Sequence, residues 1–343
     1  MTGRGPRPEP DRETGIDLME VLEARAAMTQ AVRDYFTREG FLEVSTPALV
    51  RHPNLDPNVR PVAVSIHDQA GRHSRRWLHT SPELSMKKLL AGGAGSIYQI
   101  GPVFRDSEHS PLYRCEFTML EWYRLEAGYE DAIRDTIRVV RAASRPISGG
   151  DEVTFKGRSY DLAGQWEEVT VAQAFDRYAG VRSLSSDDLS DALEGMGYTV
   201  RPDEPVEDLF FHVFVEAVEP FLGLERPTII RDYPSFLGTM ASAKPDDPKT
   251  LERFEVYIAG LEMANGYTEL TDATQLAHRM EKVMADLTAQ GVRDLSIDED
   301  FLEAMAGLPP CAGVSVGMDR LAMLVLDRDD ISEVVYPHGE VPA

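Results

Sequence analysis

The run GPVFRDSEHSPLYRCEFTMLEWYR, Gly101 to Arg124, restricts this chain more than any other stretch. Ser96 to Arg105 reads as one strand and Glu116 to Arg124 as another, joined by the polar, irregular loop Asp106 to Cys115. Arg105 leaves the first strand where the loop begins. An arginine on a rigid strand can hold a fork of donors against a phosphate. Taken by itself, Arg105 is more simply read as a surface arginine in a salt bridge, since many charged residues serve only structure.

Elements on either side extend the pattern. Apolar residues recur at helical spacing from Leu18 to Thr37, at Val21, Ala24, Met28, Ala31, Val32, Tyr35 and Phe36, and Gly40 ends that helix. Phe41 to Val44 reads as a short strand. Ser81 to Leu90 reads as a helix, with Ser81 as its cap and Pro82 in its first turn. Val153 to Leu162 predicts a hairpin, Val169 to Tyr178 and Leu209 to Phe221 helices, and Leu184 to Arg201 a small α/β excursion. Thr228 to Asp232 and Arg253 to Ile258 read as strands, and Gln275 to Gln290 as a long helix. Strands come in groups rather than alternating with helices. The fold class is therefore α+β, an antiparallel sheet flanked by helices.

Two further segments could carry chemistry. In RFEVYIAGLEMANGYTELTD, Arg253 to Asp272, Glu262 and Glu269 stand seven positions apart, which in an unbroken strand places them on opposite faces. A bulge at Asn265-Gly266 would restore a common face, where two carboxylates can hold Mg²⁺ together with substrate phosphates. Two unrelated carboxylates would give the same spacing. In CAGVSVGMDRLAMLVL, Cys311 to Leu326, Gly313 to Gly317 reads as a strand feeding the helix Asp319 to Leu326. Gly313 and Gly317 let a planar group approach the backbone, and Arg320 can stack on an aromatic base. A plain strand-to-helix turn would read the same way.

The wording of these segments, in this order, identifies a family. FTREGFLEVSTPALV, with Pro47, resembles motif 1 of class II aminoacyl-tRNA synthetases. The Gly101–Arg124 unit resembles motif 2, and GVSVGMDRL resembles motif 3. TSPELSMKKLL, EFTMLEWYR and ELTDA after ANG resemble the lysyl-tRNA synthetase branch, and within it the short bacterial elongation factor P–(R)-β-lysine ligases. The resemblance spans about residues 18 to 335. It implies a class II catalytic core that adenylates (R)-β-lysine, or lysine, with ATP and Mg²⁺ and passes it to a lysine of elongation factor P. It also implies roles for particular residues. Ser81, Pro82 and Glu83 match the amino-acid pocket, with Glu83 receiving an amine, and Glu121 and Tyr123 match positions that read the far ammonium. Arg105 matches the arginine on the α-phosphate and carboxylate. Glu262 and Glu269 match the ATP and Mg²⁺ carboxylates, and Glu269 also borders the amino acid. Gly317 and Arg320 match the adenosine site, and Asp106, Ser107, Glu108, Arg114, Met263 and Asn265 complete the ATP contacts.

Motif 2 departs from the family's pattern. Ser107 stands where the family has glutamate, with Glu108 next to it, and Tyr113-Arg114-Cys115 replaces His-Asn-Pro. Ser315 replaces the glycine of the synthetases in motif 3 and favours the ligases. The domain plan expected is a flexible leader over residues 1–17 and one catalytic domain over 18–343. Motif 1 begins about twenty residues in, leaving no room for an anticodon-binding domain. A homodimer through motif 1 is implied. The formal charge of −23 argues against extensive tRNA binding, although it can equally serve solubility. No apolar run reaches the roughly 18 residues of a membrane span. Cys115 and Cys311 lack disulfide or zinc spacing, so a reducing cytoplasm is expected.

Overall fold

Asp17 starts the first helix by accepting hydrogen bonds from the backbone N–H groups of Met19 and Glu20 at 2.9 and 3.3 Å. A computed structural model describes residues 17–238 and 240–335. Except for Asp17, the leader expected over 1–17 lies outside the described residues, as does the end of the domain expected to reach 343. In chain order the elements are α1 (Leu18–Arg38), β1 (Leu42–Glu43), β2 (Leu49–Val50), β3 (Val62–His67), β4 (His73–Leu78) and α2 (Glu83–Ala91). Next come β5 (Ile97–Phe104), β6 (Glu116–Leu125), α3 (Tyr129–Ser148), β7 (Glu152–Phe155), β8 (Arg158–Asp161), β9 (Glu167–Thr170) and α4 (Val171–Ala174). Then follow α5 (Ser186–Gly195), α6 (Val206–Val213), β10 (Thr228–Pro234), β11 (Thr250–Ile258) and β12 (Leu261–Thr268). Helices α7 (Ala273–Ala289) and α8 (Glu299–Met305), strand β13 (Cys311–Gly317) and helix α9 (Met318–Leu326) complete the fold.

The main sheet has the order β1-β5-β6-β13-β12-β11-β10-β9. The six inner strands are antiparallel, as expected, while the outermost pairs β1/β5 and β9/β10 are parallel. Alternation along each strand sorts the side chains. Tyr98, Leu120, Trp122, Val256 and Val314 join a core with α1, α3 and α9, where Phe36 stacks on Tyr98 at 4.6 Å. Their neighbours Ile97, Tyr123 and Tyr257 face the other way. There one cluster includes α2, α7 and α8, and a second includes α4, α5 and α6. The functional site lies on this second face, between the two helical clusters.

Several expectations change. The excursion at Leu184 to Arg201 contains helix α5 and no strand. Val169 belongs to strand β9, and helix α4 starts only after the Thr170 cap. The long helix α3 has no counterpart in the sequence reading. At α2 the capping position is Pro82, while the Ser81 hydroxyl accepts from the Glu83 N–H at 3.0 Å.

The bulge in β12 is real but lies elsewhere. Val256 faces Ala264 and Tyr257 faces Glu262, which leaves Met263 as the extra residue. This shift brings Glu262 to the face of Asn265. Gly266 serves packing instead: a Cβ there would meet the Phe254 ring and Val314, each at 2.8 Å. Gly266→Ala is therefore expected to destabilise the protein by about 1–3 kcal/mol, the usual cost of overpacking, and to lower the melting temperature. An unchanged thermal midpoint would show that Phe254 can move aside.

Candidate active site

Strand β6 places Glu121 and Tyr123 on the open face because their alternate neighbours, Leu120 and Trp122, are held in the core. The buried Glu121 carboxylate accepts from the hydroxyls of Ser81 and Tyr123, both at 2.7 Å. Strand β13 lies directly alongside. A side chain at Gly313 would run into the Tyr123 ring and the Glu269 carboxylate, so this glycine makes room for the pocket's own side chains and not for a base.

Lys87 sits beneath the pocket, fully buried. Its ammonium bonds the Glu83 carboxylate at 2.5 Å and also pairs with Glu269. The Tyr267 hydroxyl donates to Glu83 at 2.7 Å, and the rings of Tyr267 and Tyr123 lie 5.6 and 5.9 Å from the ammonium. Burial alone would discharge Lys87, but Glu269 and then Glu83 outweigh it and hold the amine protonated.

Glu83, Glu121 and Glu269 share one cavity of about 560 Å³ with Asp56, Arg105, Glu262, Asn265 and Ser315. Arg253 and Glu255 form a second ion pair in its wall at 2.6 Å, and Arg253 stacks on Tyr233 at 4.4 Å. A smaller cavity of about 100 Å³ adjoins the first and shares Arg105, Tyr113, Glu262, Asn265 and Ser315 with it. Glu108, Arg114, Phe117, Met263, Gly317 and Arg320 also line this second space. Arg105 lies over the Phe117 ring at 5.1 Å and pairs with Glu108 at 3.7 Å. Arg320 donates to the Glu262 carbonyl at 2.9 Å and to its carboxylate at 3.2 Å.

The structure thus brings together most of the residues singled out in the sequence. It leaves three outside both cavities. Pro82 only heads α2. Asp106 pairs with Arg60 near the surface at 3.4 Å, and Ser107 occupies a left-handed turn position with φ 66°. The sequence reading missed Asp56, Lys87, Arg253, Glu255 and Tyr267. Two of these left a trace. Lys87 follows Glu83 by one helical turn, and Arg253 and Glu255 alternate with the core residues Phe254 and Val256.

Glu262 and Glu269 line one cavity, and Glu269 Oε1 is buried with no hydrogen-bond partner among the described residues. No group of three or more candidate metal-ligating His, Cys, Asp or Glu side chains occurs among the described residues. Two carboxylates suit Mg²⁺, which commonly takes one or two from a protein and the rest of its ligands from phosphates and water.

Comparison with known proteins agrees with this architecture. Residues 15–339 match the family of class II tRNA synthetases (D, K and N), and the chain belongs to it. It is 37% identical over 314 residues to an elongation factor P–(R)-β-lysine ligase homologue of Aquifex aeolicus, covering 91% of this chain and 98% of that one. It is 34% identical to an elongation factor P–(R)-β-lysine ligase of Haemophilus influenzae, covering 94% and 96%. A lysine–tRNA ligase of Moorella thermoacetica is 32% identical over 93% of this chain but only 65% of its own length. The chain is accordingly an ATP-dependent amino-acid ligase.

So many buried carboxylates around one lysine disturb their own titration. Burial, with Glu83 adding to it, pushes Glu121 up to about 8 and Asp56 up to about 6. Burial also lifts Glu269, with Lys87 opposing and Glu83 reinforcing the shift. Near neutral pH Glu121, whose hydrogen-bond partners are hydroxyls, is largely protonated, whereas Glu269 keeps its charge against the Lys87 ammonium. An ammonium substrate favours the ionised form of Glu121, so its binding must release a proton below about pH 8. The KM for the amino acid in ATP–pyrophosphate exchange is expected to fall between about pH 6.5 and pH 8.5, with Glu121→Gln flattening the profile. A wild-type profile without slope would rule out this coupling.

Proposed function

We propose that this chain adenylates (R)-β-lysine with ATP and transfers the acyl group to a lysine side chain of elongation factor P. The observation that carries this reading is the charge inventory of the main cavity. Asp56, Glu83, Glu121 and Glu269 line it over buried Lys87, which pairs with Glu83 and Glu269 alone, while Arg253 is taken up by Glu255 and Arg105 stands in the same wall. Such a pocket suits a small molecule with two ammonium groups and one carboxylate. The ligase relatives, matched over nearly their whole length, support the same substrate and acceptor.

The substrate carboxylate attacks the α-phosphorus, and the bond to pyrophosphate breaks. Arg105 orients the carboxylate and α-phosphate, and Arg320 holds the adenosine end. This chemistry depends on positioning and charge neutralisation more than on proton transfer. Glu262 and Glu269 would hold Mg²⁺, which supplies further positive charge to the phosphates. The acceptor amine then adds to the acyl carbon, AMP leaves with the electron pair of the C–O bond, and the nitrogen sheds a proton.

Ser315 lies on the pocket floor, in register with Glu121 on one side and Asn265 on the other. Its hydroxyl donates to the Asn265 carbonyl at 3.4 Å. A side chain here, where synthetases carry glycine, supports a shape that prefers the β-amine to the α-amine. A third cavity of about 340 Å³ shares Pro57, Asn58, Phe211, Leu237 and Gly238 with the main pocket. Its walls carry Glu207, Asp208 and Asp286 against Arg279 and Lys282, and Lys282 pairs with Glu207, which leaves a net single negative charge facing an approaching acceptor. The decisive experiment offers elongation factor P and tRNA together with labelled (R)-β-lysine and ATP. Label is expected on elongation factor P alone, and label on tRNA alone would overturn the acceptor assignment.

A cytoplasmic homodimer completes the proposal. Among the described residues no helix is long and apolar enough to cross a membrane. Leu22, Leu42 and Leu49 are exposed by 43, 58 and 42% on the α1–β2 segment, and β1 forms one edge of the main sheet. An isologous contact would cover this face. Light scattering at micromolar concentration is expected to give twice the chain mass, and a monomer would refute the contact.

A further inference from the structure

Tyr113 is in a singular position. It belongs to the rewritten part of the loop between β5 and β6, where the family's wording has histidine. Its exposed ring lies 4.4 Å from the Arg320 guanidinium, and it lines both the large and the small cavity. The small cavity, at about 100 Å³, falls well below the roughly 300–1,000 Å³ of ligand pockets. Phe117 and Arg320 both line that space, with Arg105 over the Phe117 ring at 5.1 Å and the Tyr113 ring against the Arg320 guanidinium.

We propose that Tyr113 competes with the adenine of ATP for the face of Arg320, so that nucleotide entry requires the tyrosine ring to swing off the guanidinium. This rests on the reading of Arg320 as the adenosine contact. Local bonding favours movement of the ring rather than of the whole loop. Ser110 and Tyr113 close a tight turn through reciprocal backbone bonds of 3.1 and 3.2 Å, and the Pro111 carbonyl is tied to the Ile331 N–H at 2.7 Å. Among the described residues the Tyr113 side chain makes one cation–π contact, to Arg320, and no side-chain hydrogen bond. Tyr113 and Arg320 line the same small cavity, and a base cannot stack on the guanidinium face that the ring covers while the ring stays there. The result is a tyrosine that lowers apparent nucleotide affinity while shielding the arginine from other partners.

Calorimetric titration of the full chain tests this with ATP, adenosine and inorganic tripolyphosphate. Tyr113→Ala is expected to tighten ATP and adenosine by about three- to tenfold, in keeping with the loss of one modest cation–π competitor. Tripolyphosphate, which has no base, should bind both chains equally, and Tyr113→Phe should behave as wild type. Unchanged or weaker ATP binding in Tyr113→Ala, with an unchanged thermal midpoint, would overturn the competition; weaker binding would make the ring a platform for adenine instead. If neither chain binds ATP, the adenosine-site reading falls with it. If both bind ATP equally, only the competition falls.

Discussion

Lys87 makes the pocket possible. Several carboxylates on one buried sheet face would repel one another and lose hydration worth several kcal/mol each. A single ammonium beneath them, bonded to Glu83 and paired with Glu269, offsets part of that cost. Compensation is deliberately incomplete in its effect: Glu121 has only hydroxyl partners, from Ser81 and Tyr123, and stays short of a cation. The diamine substrate proposed above would supply the missing charge. The same imbalance that makes the site hard to fold makes it selective for cations.

Strand alternation and one bulge distribute this chemistry. The core around Trp122 and Phe254 holds β6 and β11 in register, so Glu121, Tyr123, Arg253 and Glu255 must face the opposite side. Met263 shifts the register of β12 by one residue, and Glu262 joins that side too. The two cavities then meet along β12, with Asn265 lining both, and Arg105 and Ser315 lie on the same boundary.

Much of this was legible in the chain itself, for a specific reason. Arg105, Glu121, Glu262, Glu269 and Arg320 sit inside segments whose wording and order are characteristic, and all of them line the cavities. Asp106 and Ser107 fall outside the cavities because a loop's sequence does not reveal which way its backbone turns: Asp106 is held by Arg60, and Ser107 takes a left-handed turn. The bulge was assigned to Asn265-Gly266 because glycine often marks one. Here Gly266 answers instead to Phe254 and Val314, which are far from it in sequence and touch it only in the folded sheet.

By itself the sequence determined most of the periodic elements, the family and many of the charged residues that line the two cavities. Those follow from local spacing and from short motifs, and local spacing is a property of the chain. Tertiary structure alone decided that Lys87 neutralises Glu83 and Glu269, that Asp56 and Tyr267 join the pocket, and that Tyr113 lies on Arg320. Charge pairing and desolvation depend on distances between residues remote in sequence, and only packing sets those distances.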